Sequence, residues 1–210
     1  MKRLPAIGAV LGLALLLGGC AAVVVGAGAA AGYSVYEDRR SSGTQVEDQR
    51  IESRASSAIE QRFGWNVHVN VTSYNRQVLI TGEVPDAVTH AEVEKLVATT
   101  PGVRTLSNEL VIGPLSSLAA RTGDTVVTSN VKTRFLGAKN FNPVHVKVVT
   151  EAGVVFLMGM VTEVEANSAV DITRTTDGVK KVVKVFEYCK SGESICRPVP
   201  PPPAEKKPAA

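Results

Sequence analysis

Two rhythms alternate along the chain. Ile51, Ala55, Ala58, Ile59 and Phe63 recur at the spacing that puts side chains on one face of a helix. The period then drops to two. Val67, Val69 and Val71 alternate with other residues, and Val78, Ile80 and Val84 do so again after a polar break at residues 73–76. Pro85 opens a second helix, where a missing N–H costs nothing, and Val88, Val93, Leu96 and Val97 form its apolar side. Pro101-Gly102 ends it, and residues 103–112 read as a third strand. The predicted order is helix, strand, strand, helix, strand.

The same order returns. The segment "VHVNVTSYNRQVLITGEV" at residues 67–84 aligns with "VHVKVVTEAGVVFLMGMV" at residues 144–161. Val67, Val69 and Val71 fall on Val144, Val146 and Val148, and Gly82 falls on Gly159 at an offset of 77. "PGV" at residues 101–103 matches "DGV" at 177–179 at an offset of 76, so one single-residue gap reconciles the copies. In the second copy Val127, Val131 and Phe135 mark the first helix, Ala166, Ala169, Val170 and Thr173 the next, and residues 179–188 the closing strand. Thr44 with Glu47 and Thr162 with Glu165 predict capping boxes. Residues 113–123 join the copies, a connection short enough that the domains should touch. The fold class is therefore α+β: two tandem α-β-β-α-β units, each with helices packed on a three-stranded sheet.

The N-terminus follows neither rhythm. Lys2 and Arg3 precede an apolar run at residues 4–17, and Leu17-Gly18-Gly19-Cys20 looks like a lipobox, the cleavage and acylation signal of bacterial lipoproteins. Residues 1–19 then form a signal peptide, and Cys20 carries acyl chains such as palmitate. The competing reading is a membrane-spanning anchor. After cleavage only residues 21–32 remain apolar, and as a helix they would reach about 18 Å across a hydrocarbon core of about 30 Å. Residues 20–43 read as lipidated N-terminus and linker, 44–113 as the first domain, 117–188 as the second, and 189–210 as a cysteine pair with a Pro-rich tail.

Composition narrows the chemistry. The chain has 44% hydrophobic and 5% aromatic residues, so the core is built from Val, Leu, Ile and Ala. A net charge of +3 does not argue for nucleic acid. It divides unevenly: residues 44–113 carry six Lys/Arg and nine Asp/Glu, net −3, whereas residues 117–190 carry ten and seven, net +3. An anionic surface would attract the second unit, at about 1 kcal/mol per basic residue close to it. Opposite charge would also let the domains dock on each other.

Cys189 and Cys196 suit a disulfide in an oxidising compartment; zinc would want four ligands, and no further Cys or nearby His is at hand. The Pro-rich tail is expected to be an extended spacer. His68 and His145 occupy equivalent strand positions opposite the valines and are expected to point outward, and His90 stands alone on a helix. No nucleophile elbow, phosphate loop or paired carboxylates appear. The expectation is no enzyme, no cofactor and no metal.

The words "GTQVEDQRIESRASSAI", "VNVTSYNRQVLITGEVPDA", "VKVVTEAGVVFLMGMVTEVEA" and "DGVKKVV" resemble the BON domain. With the lipobox, the chain is similar to the dual-BON outer-membrane lipoproteins of the DolP/YraP family. The resemblance implies an outer-membrane lipid anchor on the periplasmic face, since no Asp follows Cys20. It also implies binding of anionic phospholipid (phosphatidylglycerol, cardiolipin) by the first helix of the second domain, and support of outer-membrane integrity at division sites. The residues this assigns are Val126, Asn130, Lys132, Thr133, Arg134 and Leu136, which a core stripe of Val127, Val131 and Phe135 leaves over; an ordinary solvated helix face is the competing reading. Some relatives carry Trp where this chain has Val126, and Val offers less area to a lipid interface. Lys180, Lys181 and Lys184 are expected to blunt a sheet edge. The alternative function is a scaffold for an envelope-assembly or cell-wall partner.

Overall fold

Each half of the molecule is a three-stranded sheet with two helices on one face. The computed structural model describes residues 38–190 with Gly192, Glu193 and Cys196. The leader, Cys20, most of the linker and the Pro-rich tail lie outside the described residues. The first half runs α1 (Ser42–Phe63), β1 (His68–Tyr74), β2 (Gln77–Val84), α2 (Ala87–Ala98) and β3 (Thr105–Ile112). The second runs α3 (Leu118–Phe135), β4 (Lys147–Glu151), β5 (Val154–Val161), α4 (Glu163–Arg174) and β6 (Lys181–Tyr188). In each sheet the middle strand pairs antiparallel with the strand before it and parallel with the strand after it. A tight turn serves the first pairing, and a helical crossover is what the second requires.

Two of the first helices begin earlier than the sequence suggests. Ser41, not Thr44, caps α1, its hydroxyl accepting from the Thr44 backbone N–H at 3.1 Å. Glu47 therefore makes no capping box and lies near Arg50 and Arg54 instead. Likewise Ser117 caps α3, so residues 118–123 are helical and the connection shrinks to residues 113–117. The capping box of Thr162 with Glu165 at α4 is present in full.

Each hairpin is latched to its first helix by one aspartate. Asp48 accepts from the backbone N–H groups of Asn75 (2.9 Å) and Arg76 (2.7 Å) and from the Ser73 hydroxyl (2.6 Å). Asp124, its counterpart, accepts from Ala152 (2.9 Å) and Gly153 (2.8 Å). Both turns have two central residues at positive φ, the two-residue hairpin turn whose twist matches the strands. Further along, Gly82 and Gly159 let the edge strand cross closely: an added Cβ would stand 2.0 Å from the His68 carbonyl oxygen and 2.2 Å from that of His145.

The helix-facing cores follow the repeat. Ile51, Ala55, Ile59, Val78, Ile80, Val84, Val93 and Val97 fill one, and Val127, Val131, Phe135, Val155, Leu157 and Val161 are among those filling the other. A third apolar cluster joins the backs of the two sheets: Tyr74 and Leu79 from the first meet Phe156, Met158, Met160 and Val185 from the second. β2 and β5 are thus buried on both faces.

The sheets stack in opposite senses within the compact unit Arg39–Pro198. Asn75, in the first hairpin turn, donates to Glu187 near the end of β6 (2.8 Å), and Arg104 pairs with the same carboxylate. Glu151, beside the second turn, accepts from Asn70 (2.8 Å) and Thr81 (3.3 Å). Lys147 reaches Glu52 (2.8 Å). Each hairpin turn therefore lies over the open end of the other sheet, and ion pairs join the domains in both directions.

Candidate functional site

The six α3 residues singled out by resemblance do not share one face. Val126 is 54% and Leu136 77% exposed. Asn130, Thr133 and Arg134 line a shallow groove with Thr175, Thr176 and Asp177. Arg134 is committed there: Nη1 donates to the Ile172 carbonyl (2.9 Å) and the Thr176 hydroxyl (2.8 Å), tying α3 to the end of α4. Lys132 lies on the other flank, in a groove with Arg121, Thr125, Thr128, Ser129 and Glu151 that meets His68 and Asn70 of the first domain. The helical period explains the split, because Lys132 stands about 160° from Asn130 around the axis at about 100° per residue.

Leu136 belongs to a larger apolar end. α3 passes the β4–β5 turn at Asp124, its seventh residue, and runs from there toward the open end of its sheet. Val164, at the start of α4, and Tyr188, at the end of β6, are exposed at that end too. Arg39, where the compact unit begins, is fixed beside them. Its guanidinium is 4% exposed, forms two hydrogen bonds with Glu165 at 2.8 Å each, and donates to the carbonyls of Met160 (2.6 Å) and Cys196 (3.2 Å). Burial works to raise the Glu165 pKa, but Arg39 and the backbone N–H of Thr162 outweigh it and hold the carboxyl below its ordinary range. Cys189 and Cys196 are joined by a disulfide, Cα–Cα 6.2 Å, which fixes Cys196 beside the end of β6.

The first domain has its own apolar end, and Val88, which the periodicity put on the apolar side of α2 with Val93 and Val97, is exposed there because it stands in the first turn of the helix, beyond the sheet. Trp65, the only tryptophan in the sequence, is 95% exposed, and Val88, Ile112 and Leu118 are exposed with it. All stand at the open end of the first sheet, where β1 starts and β2 and β3 finish. An unpaired large aromatic between a helix and a strand was the available sequence signal.

Both strand histidines depart from the outward position expected of them. His145 is buried in a single 3-10 turn, Pro143–His145, before β4 begins, with Nδ1 3.8 Å from Glu165. His68 is pressed between domains: Nδ1 lies 2.9 Å from Oε2 of Glu83 and 3.8 Å from Oε1 of Glu151. Sheet-on-sheet packing covers the face that would otherwise meet water. Burial works to raise the Glu83 pKa, and the Ser116 backbone N–H followed by His68 overcomes it, leaving the carboxyl depressed. The separate carboxylates of the sequence thus meet as a pair with a histidine.

Residues 48–114 and 123–190 each match the family model of the BON domain. The chain is 38% identical over 180 residues to the outer membrane lipoprotein DolP of Haemophilus influenzae, covering 85% of this chain and 93% of that protein. It is 32% identical over 153 residues to a 21 kDa hemolysin of Actinobacillus pleuropneumoniae, with 72% and 79% covered. To the osmotically-inducible protein Y of Escherichia coli it is 28% identical over 156 residues, with 72% and 78% covered. Neither lipoprotein nor osmotically-inducible protein is an enzyme's name, and the first likeness supports a place in the cell envelope. The match of both halves to one model, together with the duplicated fold, establishes that the chain belongs to the BON-domain family, with two BON domains in tandem.

Proposed function

We infer that the protein is a non-enzymatic lipoprotein, acylated at Cys20 on the periplasmic face of the outer membrane. Its second BON domain docks on anionic phospholipid, and by doing so supports membrane integrity, including at division sites. The observation that carries this is the exposed pair Val126 and Leu136 on α3 of the domain with net charge +3. Apolar groups beside basic ones suit a surface of acyl chains under anionic headgroups. The contact residues are Val126, Asn130, Thr133 and Leu136, with Arg134 at the rim and Lys132 on the far flank. Arg39 adds support, since it starts the compact unit at the end where Leu136 lies.

The test is cosedimentation of the unacylated protein with phosphatidylglycerol or cardiolipin vesicles and with phosphatidylcholine vesicles. Selective binding to the anionic vesicles, reduced about tenfold by Leu136→Glu with an unchanged circular dichroism spectrum, is the expected result; the size follows from removing one buried apolar contact and adding a repelled charge. Equal binding to both vesicle types, or none, removes the reading.

A second reading has its own observation. Trp65, Val88, Ile112 and Leu118 form an exposed apolar surface on the domain with net charge −3, which an anionic membrane repels. That surface suits a protein partner in envelope assembly or cell-wall remodelling, since exposed Trp is typical of protein-binding hot spots. Trp65→Ala should abolish such an association while leaving vesicle binding intact.

A further inference from the structure

The cluster at His68 is built from both domains, and no role described above uses it. His68 comes from the start of β1, Glu83 from the end of β2, and Glu151 from the end of β4 in the other sheet. Their side chains are only 13%, 10% and 10% exposed. One nitrogen and two carboxylate oxygens all lie within 4.8 Å of one another. Two carboxylates this covered need compensating positive charge, and among the described residues no Lys or Arg forms an ion pair with either.

The duplicated fold supplies a comparison inside the same molecule. His145 is the counterpart of His68, and it too lies 3.8 Å from a glutamate, Glu165. There the positive charge is built in: the Arg39 guanidinium grips Glu165 with two hydrogen bonds. At His68, Arg121 of the adjoining groove instead donates to the Ser116 hydroxyl at 3.0 Å. The first site thus brings two glutamates to its histidine and, among the described residues, no arginine to either glutamate.

The remaining partners hold the donors in place. Asn70 and Thr81 bind Oε2 of Glu151, which leaves Oε1 facing the imidazole. The Ser116 backbone N–H fixes Glu83 at 3.1 Å. Such secondary contacts orient ligands at metal centres. The groove lined by Arg121, Thr125, Thr128 and Lys132 opens onto His68 and Glu151 and provides an entry path.

We propose that His68, Glu83 and Glu151 form a divalent-cation site that bridges the two BON domains, with zinc as the preferred ion. Imidazole with two carboxylates is a donor set for zinc, whereas calcium takes six or more oxygens and magnesium keeps an octahedron of them. Tetrahedral zinc with bonds of about 2.0–2.1 Å puts its ligands about 3.3 Å apart, between the 2.9 and 3.8 Å seen from Nδ1. Three protein ligands leave the fourth position to water from the groove. The imidazole binds zinc in place of the proton on Nδ1, which passes to solvent. The site is independent of the lipid surface on α3.

The experiment is isothermal titration of zinc chloride into the metal-stripped, untagged full-length lipoprotein in detergent, with thermal unfolding in parallel. One zinc per chain in the micromolar range or tighter and a rise in Tm on loading are expected. Glu151→Gln and Glu83→Gln, one from each domain, should each weaken binding by about tenfold or more and lose the Tm rise, and His90→Gln should change neither. The two glutamate variants serve as each other's check, because only one need fold to decide the matter. No saturable one-to-one uptake, or uptake that a folded glutamate variant leaves unaltered, overturns the proposal.

Discussion

Ala152 and Gly153 show how much one position can hold back. Ala152 sits at φ 51°, in the left-handed region, in the turn that Asp124 latches. For a residue with a Cβ that conformation costs about 1–2 kcal/mol, and Asn-Gly is the favoured pair for such a turn. Ala152→Asn should therefore stabilise the protein by about 1 kcal/mol, seen as a Tm higher by about 2–4 °C for a chain of this size. Gly82→Ala should do the reverse, because its new Cβ meets the His68 carbonyl carbon and oxygen; a backbone clash has no rotamer to relieve it, and expression as insoluble protein is the expected readout. The glycines were legible from sequence as repeat landmarks. The two aspartates were not, because a carboxylate on a helix reads as a solvated face until the turn it binds has been placed. The histidines misled for a related reason: alternation correctly put them opposite the valines, but it could not say that a second sheet would cover that side.

At the scale of elements, periodicity located the ten α-helices and strands of the described residues, and the errors lie at their ends. Both first helices start early, since Ser41 and Ser117 cap them ahead of the threonines that the spacing favoured. The longer α3 matters for the site. Its extra turns carry Arg121 into the interdomain groove and leave Leu118 exposed at the opposite end from Leu136. The candidate lipid face is correspondingly narrower than the leftover positions of the helix suggested. Val126 is the place to enlarge it: Val126→Trp adds an aromatic suited to an interface at a position with open space around it. Binding to anionic vesicles should strengthen by about tenfold, from roughly 50 Å² of added apolar area at about 25 cal/mol per Å². The same cosedimentation assay measures the gain.

For the whole molecule, the back-to-back packing was written in β5 and went unread. "VVFLMGMV" is apolar at nearly every position, as expected of a strand buried on both faces rather than one. That shared core should make the two domains unfold together. Leu79→Ala in the first and Met158→Ala in the second should each cost about 2–5 kcal/mol and lower one common calorimetric transition; two resolved transitions would mean the domains are energetically separate. Acid should loosen the same assembly. Glu83 and Glu187, at the interface, and Glu165, under the Arg39 guanidinium, have depressed pKa values against an ordinary 4.5, in each case because hydrogen-bonding partners outweigh burial. A lowered folded pKa gives stability that is present above the ordinary value and is lost as pH falls through the lowered one. Tm should thus be level near neutrality and drop below about pH 5, and Glu165→Gln should lower it at neutral pH while flattening the acid limb.

The opposite sense of the two sheets gives the molecule two poles. Leu136, Val164 and Tyr188 mark one, and Trp65, Val88 and Ile112 the other, separated by roughly the 26 Å length of an eight-residue strand. Ligands at the two poles cannot collide. A lipid surface held at one leaves the other free to meet a second partner, so both occupancies are sterically compatible, and the two BON domains together have the geometry of a strut.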